Sequence, residues 1–318
     1  IKEVENTNRS AKDFHFGKHT HGLLAGWIFT HTLGFWSALR LFFTVFKPTQ
    51  NSASVTSFRH MDKHSILTIE NKDGETTADG LQVGYTLEEM ANRLEGLLRS
   101  IGLVNDFAPL VYAVGHGSSS VNNTHYAGYD CGACSGRPGS VNARVICHIG
   151  NHPKVREILR ERGIDIPDTT QFVGALHDTS RDEIMYYDLK VLNQQNFAFH
   201  GEVAMKFNQA LSLNAKERSR RFMSINTHQS VSRIHKKVKL RTVSLFEPRP
   251  ELNHATNTLC IVGRRDFSKG LFLDRRSFLN SFDYTTDPEG KYLLNILNAV
   301  APVCGGINLE YYFSRVDN

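Results

Sequence analysis

The chain has 318 residues, of which 40% are hydrophobic and 22% charged, and its formal net charge is +5. This composition excludes a disordered or fibrous polypeptide and predicts a folded chain of one large or two ordinary domains. The mild positive charge permits an anionic partner without requiring one. Five cysteines at irregular spacing argue against a disulfide framework and favour a reducing, cytoplasmic setting.

Residues 1–85 are predicted to form a polar connector, an aromatic helix and an insertion. The segment Leu23–Phe46 is the most apolar run and carries aromatic residues at helical spacing. Polar interruptions that include His31 and Arg40 argue against a membrane span, because an arginine within a bilayer is costly. We therefore expect a buried or membrane-surface helix, with Arg40 facing solvent, a partner chain or a carboxylate.

Residues 86–318 are predicted to form an α/β core with a mostly parallel sheet flanked by helices. Thr86 and Glu89 have the spacing of a capping box at the start of a helix. A buried strand is expected over residues 109–114, closed by Gly115. Further helices are expected at residues 139–149 and 153–162, and further strands at residues 172–177, 184–187 and 258–263. Strands that alternate with helices favour a parallel sheet.

A glycine-rich loop after the strand at residues 109–114 carries the residues with the clearest chemistry. His116 follows that strand directly, at the carboxyl end where open α/β sheets bind ligands. Together, His116 and Cys131 offer one nitrogen and one sulfur ligand, which zinc accepts. Cys131 and Cys134 also form a C-x-x-C motif, which fits a redox pair or half of a structural zinc site. The residue types alone do not decide between these kinds of site. They also leave open that these are ordinary loop and core residues with no bound metal.

A thiol triad is a rival catalytic interpretation of the same loop. Cys131, His116 and Asp178 are the residue types that such a triad needs, although nothing in the sequence specifies that they converge. Three further histidines are better explained by helix capping or packing: His148, His152 and His177.

Residues 216–241 contain nine lysines or arginines and the single acid Glu217. A solvated helix face is the simplest interpretation, followed by an acidic partner or an anionic membrane surface. No nucleic acid partner is expected, because neither interleaved aromatic residues nor a known binding motif accompanies the charges.

The glycine-rich loop carries a resemblance to a known family. Residues 115–123 read Gly-His-Gly-Ser-Ser-Ser-Val-Asn-Asn, and residues 130–136 read Asp-Cys-Gly-Ala-Cys-Ser-Gly. They resemble the zinc loop of the DabA-type large subunit of bacterial inorganic-carbon uptake systems. The similarity continues in the family's order at residues 142–144, 155–156, 163–167, 175–179, 249–251, 278–283, 307–314 and 316–318. It is nearly continuous from about residue 86 onward.

The resemblance implies a β-carbonic-anhydrase-like core with helical insertions and one zinc ion. It assigns His116 and Cys131 as zinc ligands and leaves Cys134 out. The remaining Cys and Asp ligands, and the Asp and Arg that gate the site, would come from an upstream C-x-D-x-R element. This chain contains no C-x-D sequence, so we expect it to be part of a longer protein. We also expect these residues alone to bind zinc weakly and to lack carbonic anhydrase activity.

The function that the resemblance implies is energy-coupled uptake of inorganic carbon, with zinc-dependent hydration of carbon dioxide to bicarbonate. The partner would be a membrane subunit resembling the proton-pumping subunits of respiratory complex I. The chain would then lie peripherally on the cytoplasmic face of the plasma membrane. The alternative is a non-enzymatic peripheral membrane scaffold with a structural zinc or C-x-x-C site, held to its partner by the aromatic helix and the basic segment.

Overall fold

The computed structural model of the chain describes residues 22–46, 67–119, 138–244 and 257–316, apart from residues 73 and 275. The described residues form seven α-helices and five strands. The helices are α1 (Leu23–Phe46), α2 (Leu87–Ser100), α3 (Ser140–Gly150), α4 (Pro153–Glu161), α5 (Gln194–Ser219), α6 (Val231–Thr242) and α7 (Lys291–Val316). The strands are β1 (Leu110–Gly117), β2 (Gln171–Asp178), β3 (Glu183–Tyr186), β4 (Leu259–Gly263) and β5 (Ser277–Ser281).

The described strands form two small sheets. In the first, β1 pairs with β2 in parallel and β3 pairs with β2 antiparallel, in the order β1-β2-β3. In the second, β4 and β5 pair in parallel. The predicted α/β class is confirmed, but the antiparallel β3 was not expected, and β1 is an edge strand among the described residues. The carbonic-anhydrase-like core and the domain boundary at residue 86 stay predictions.

One face of the β1-β2-β3 sheet carries the main apolar core. Helix α2 begins after Thr86, whose hydroxyl accepts the Glu89 N–H at 3.2 Å. The Glu89 carboxylate in turn accepts the Thr86 N–H at 2.8 Å, so the predicted capping box is confirmed. The buried side of α2 packs on α3, α4 and β2. The buried core residues are Met90, Ala91, Leu94, Leu98, Cys147, Ile149, Val155, Leu159, Ile164, Ile166 and Phe172.

Two buried arginines tie this core to the adjoining loops. Arg144 in α3 makes two hydrogen bonds to the Asp188 carboxylate, at 2.7 and 2.8 Å. Arg156 in α4 donates to the carbonyls of Gly150 and Thr170, at 2.8 and 2.7 Å. Both arginines lie in segments that carry the family resemblance. Their N–H groups bind a carboxylate and backbone carbonyls within the chain.

The opposite face of the same sheet is partly covered by α5. Tyr112 of β1 and Tyr186 of β3 point to this face, and His200 and Phe207 of α5 pack on their rings. The Tyr112 hydroxyl and His200 Nδ1 are hydrogen-bonded at 2.9 Å. Burial raises the pKa of Tyr112 to about 12 and lowers the pKa of His200. Both side chains are therefore neutral near neutral pH.

Helix α1 has the bounds that the sequence predicts, Leu23–Phe46. Its large apolar side chains are mostly exposed, among them Trp27, Phe35 and Trp36. The expectation of a buried helix is therefore wrong for the described chain, and the membrane-surface alternative stays a prediction. No described helix combines the length and the apolar character that crossing a membrane requires. The Arg40 side chain lies outside the described residues, so its surroundings stay a prediction too.

The basic residues of segment 216–241 divide between two environments. Arg218 is buried and paired with Asp182, and Lys239 is paired with Glu183. The exposed members are Lys216, Arg220, Arg221, Arg233 and Lys236. A solvated face therefore accounts for part of this segment, while the other charges stabilise contacts between α5, α6 and the turn before β3.

Candidate metal centre

His116, the first predicted zinc ligand, lies at the carboxyl edge of the β1-β2-β3 sheet. It belongs to β1 rather than to the loop beyond it, because parallel pairing with β2 continues to Gly117 and Asp178. Side chains alternate along a strand, so His116 shares a face with Tyr112 and Val114. Helix α5 covers this face at Tyr112, whereas Val114 is 44% exposed. His116 therefore lies toward the more open end of the face.

The loop that follows His116 is closed at its base by a close approach of two chain segments. The Gly139 N–H donates to the His116 carbonyl at 2.7 Å. A Cβ added to Gly115 would lie 2.5 Å from the Gly139 carbonyl carbon, so only glycine permits this approach. The described residues on either side of segment 120–137 therefore lie beside each other at the end of β1.

A buried carboxylate holds the first residues of this loop. Asp178, at the end of β2, is 2% exposed and accepts a hydrogen bond from the Ser119 hydroxyl. It also accepts the N–H groups of Ser119, Ser180 and Arg181, at 3.2, 3.1 and 3.3 Å. The Ser118 and Ser180 hydroxyls are hydrogen-bonded at 2.6 Å. Burial raises the pKa of Asp178 to about 6, although the surrounding donors act in the opposite direction.

A second buried carboxylate organises the turn between β2 and β3. Asp182 binds the Arg218 guanidinium at 2.6 and 3.0 Å and the Asn214 amide at 2.8 Å. The His177 Nε2 atom lies 3.4 Å from the same carboxylate. Burial alone would raise the pKa of Asp182, but the His177 hydrogen bond, the Arg218 charge and the Asn214 hydrogen bond lower it on balance. Because His177 is the β2 neighbour of His116, this cluster adjoins the predicted metal site.

The cysteines of the predicted site lie outside the described residues. Cys131 and Cys134 both fall in residues 120–137, so their distances from His116 stay predictions, as does the thiol triad with Asp178. Within the described residues, no group of three or more His, Cys, Asp or Glu is placed to hold a metal ion. Two described features are compatible with the predicted zinc site: the His116 imidazole at the sheet edge, and the close approach of Gly115 and Gly139 beside it.

Several residues that shape this edge were not singled out from the sequence. Ser119, Gly139 and Asp182 act through contacts with distant segments, which leave no local pattern. The glycines at positions 115 and 139 are a signal for close backbone approach, but the sequence does not say which two segments meet. Of the two roles predicted for His152, capping or packing, the structure supports only its position: it is the N-cap residue of α4, but its side chain makes no capping hydrogen bond.

Comparison with known protein families connects these residues with one group of proteins. The family model described as "Probable inorganic carbon transporter subunit DabA" matches residues 2–318. The chain belongs to the DabA family. The match includes α1, the β1-β2-β3 sheet and α7. The similarity to DabA proteins therefore extends well beyond the glycine-rich segment. No solved structure matches the chain.

Two curated DabA relatives are similar over the full chain but are much longer. A protein of Azotobacter vinelandii named "Probable inorganic carbon transporter subunit DabA" is 62% identical over 318 residues, which are 100% of this chain and 38% of that protein. A protein of the same name from Nitrosospira multiformis is 54% identical over 321 residues, covering 100% of this chain and 35% of the relative. The chain thus spans between a third and two-fifths of the length of these relatives.

Proposed function

We propose that this chain supplies part of a zinc centre in a DabA-type subunit of an inorganic-carbon uptake system, and that the centre hydrates carbon dioxide to bicarbonate. The observation that carries the proposal is the family match over residues 2–318. The position of His116 at the carboxyl edge of the sheet supports it, because this edge is where α/β folds bind their ligands.

The chain's own residues would place two of the zinc ligands. His116 supplies a nitrogen from β1, and Cys131 supplies a sulfur from the loop. The contact between Gly115 and Gly139 closes that loop, and Asp178 fixes its first residues. The other ligands would come from a C-x-D-x-R element elsewhere in the full-length protein, within a carbonic-anhydrase-like core. Bound zinc makes a water molecule acidic enough to serve as a nucleophile near neutral pH.

The test is zinc stoichiometry in the full-length protein and its variants. Cys131→Ala and His116→Ala should each abolish stoichiometric zinc, because a tetrahedral site does not tolerate loss of a protein ligand. Cys134→Ala should retain most of the zinc. The matched control for His116 is His228→Ala, since His228 is exposed and far along the sequence from the loop. Hydration of carbon dioxide should be lost together with the zinc. The exchange of oxygen between carbon dioxide and water measures this activity.

Two outcomes would overturn this proposal. Equal zinc loss from Cys131→Ala and Cys134→Ala would indicate a structural C-x-x-C site and support the non-enzymatic scaffold. Full zinc occupancy in His116→Ala would show that His116 is not a zinc ligand, and His116 is the only proposed ligand among the described residues.

The subunit is further proposed to bind peripherally, on the cytoplasmic face, to a membrane partner that resembles the proton-pumping subunits of complex I. Helix α1 supports this, because Trp27, Phe35 and Trp36 are exposed on it. Clusters of exposed aromatic residues are typical of protein or membrane interaction sites. Replacing all three by Ala should reduce co-purification of the partner. Replacing the equally exposed Phe267 and Phe272 by Ala should not, and equal loss from both sets would contradict the assignment.

A further inference from the structure

Strand β4 and helix α7 meet through two side-chain contacts that bring a pair of cysteines together. The Cys260 thiol in β4 and the Cys304 thiol in α7 lie close enough to interact with each other. One helical turn later, the Asn308 amide donates to the Asn257 carbonyl at 3.0 Å. Residues four apart lie on the same side of a helix, so Cys304 and Asn308 present one side of α7 to the start of β4.

The two thiols differ in their access to solvent. Cys260 is exposed, and its sulfur also accepts a hydrogen bond from the Asn280 amide of β5 at 3.5 Å. Cys304 is partly buried, and burial raises its pKa to about 11. An oxidant in solution therefore meets Cys260 first, while Cys304 remains a protonated thiol held against it.

We propose that Cys260 and Cys304 are a redox pair, and that a disulfide between them fastens α7 to β4. The oxidant is a small-molecule disulfide. The Cys260 thiolate attacks it, forming a mixed disulfide and releasing one small thiolate. Cys304 then gives its proton to water, and the resulting thiolate attacks the Cys260 sulfur and releases the second small thiolate. Two protein thiols are thereby oxidised, one small disulfide is reduced to two small thiols, and a reducing thiol reverses the exchange.

The third described cysteine gives an internal reference for this chemistry. Cys147 is buried in the core, and burial raises its pKa to about 12. Cys147 is only 4% exposed, so a small disulfide in solution does not reach it, and we expect it to remain unmodified under conditions that oxidise the pair. The position of a thiol in the fold, rather than its presence alone, separates the reactive pair from the inert one.

Oxidation would act on the two-stranded β4-β5 sheet and on helix α7. A sheet of two strands is marginal by itself, and α7 still exposes Leu294, Leu309 and Phe313. A covalent link from β4 to α7 would hold these exposed side chains in one position relative to the sheet. The inference is independent of the zinc centre, because neither cysteine belongs to the proposed ligand set.

The experiment incubates the full-length protein with oxidised glutathione, followed by alkylation of the remaining thiols and peptide mapping. The expected result is joint loss of free Cys260 and Cys304 and a cross-linked peptide pair that a reducing thiol separates. In Cys304→Ser, Cys260 should accumulate as the glutathione mixed disulfide. In Cys260→Ser, Cys304 should stay free. Hydrogen exchange of the amides near Asn308 should slow when the disulfide forms.

Three outcomes would overturn the proposal. The first is wild-type protein that accumulates the Cys260 mixed disulfide while Cys304 remains free. The second is equal modification of Cys304 in wild type and in Cys260→Ser, which would make the two thiols independent. The third is no change at either cysteine at oxidant concentrations that modify Cys131 or Cys134.

Discussion

The two faces of the β1-β2-β3 sheet are stabilised by different kinds of interaction. On one face, α2, α3 and α4 bury an apolar cluster around Leu94 and Phe172. On the other face and at the carboxyl edge, buried polar groups dominate: the Asp182–Arg218 pair, the Asp178 carboxylate and the hydrogen bond between Tyr112 and His200. The first face depends on close packing, whereas the second depends on hydrogen bonds and ion pairs between segments that are distant in the sequence.

This difference separates the part of the molecule that maintains the fold from the part that positions chemistry. Buried polar groups cost stability unless they are hydrogen-bonded, and a hydrogen-bonded cluster of them fixes the relative positions of the segments that it joins. Here the cluster lies beside His116 and the base of the loop.

Replacing Arg218 by Met should give the largest loss of stability. Asp182 would remain buried without its charged partner, and breaking a buried ion pair from one side costs about 3–5 kcal/mol. The measurement is the free energy of unfolding by urea. Adding Asp182→Asn in the double variant should recover part of the loss, because the buried charge is then removed. Arg160→Ala is the control, since its bond to Asp165 is exposed, and it should change little.

A loss from Arg218→Met no greater than that from Arg160→Ala would contradict this ranking. It would mean that water reaches Asp182 and that the polar side of the sheet is less sealed than its buried side chains indicate.

On the apolar face, Leu94→Ala should cost about 2–5 kcal/mol, because it removes a fully buried side chain and leaves a cavity. The control lies on the same helix: Leu97 is 40% exposed, and Leu97→Ala should cost much less. Urea unfolding of both variants provides the comparison. Similar losses would show that α2 does not present one buried side to the sheet as described.

The sequence predicts the apolar face much better than the polar one, for a physical reason. Helix α2 is marked by the capping box at Thr86 and by apolar residues at helical spacing, all within one segment. The pairs Arg144–Asp188 and Asp182–Arg218 join segments far apart in the chain, so no local pattern announces them. Antiparallel β3 depends on a turn in which Asp182 adopts a positive φ of 52°, which the sequence does not reveal.

The same reasoning explains the partial success at the metal site. The position of His116 near a strand end follows from the apolar run before it, and the structure places His116 one residue before the end of β1, which runs to Gly117. The strand is longer than predicted because its pairing with β2 runs on to Asp178. The role of Asp178 could not be read from the sequence, since it depends on Ser119 lying across the sheet edge.

At the carboxyl edge, Asp178→Ala should weaken zinc binding by the full-length protein about 10–100-fold, the usual effect of losing an outer-shell partner of a metal site. Asp178→Asn keeps one oxygen for the three backbone N–H groups and should retain most of the affinity. Competition with a chelator measures the affinity. Hydrogen exchange at Ser119 and Ser180 reports the anchoring without zinc, and it should accelerate in Asp178→Ala only.

Asp165→Ala is the matched control for this prediction, because Asp165 is an exposed carboxylate whose loss should not affect zinc. If Asp178→Ala and Asp178→Asn weaken zinc equally, the negative charge rather than hydrogen bonding is what matters. If neither does, Asp178 holds only the fold.

The smallest expected effect is a pH dependence that originates at His200, on the α5 side of the sheet. Burial lowers its pKa below the ordinary value of 6.5, so the folded state holds His200 neutral where the unfolded state begins to bind a proton. The stability that His200 contributes is therefore complete above about pH 6.5 and is lost as the pH falls. In His200→Gln, which can still hydrogen-bond to Tyr112, this part of the pH dependence should disappear. Urea midpoints at about pH 8 and about pH 5.5 measure it.

Asp178, whose pKa is raised by burial, contributes to the pH dependence with the opposite sign in both proteins and cancels in the difference between them. The exposed His228 provides the control: His228→Gln should keep the wild-type pH dependence. An unchanged dependence in His200→Gln would show that the Tyr112–His200 contact opens to water before the fold does.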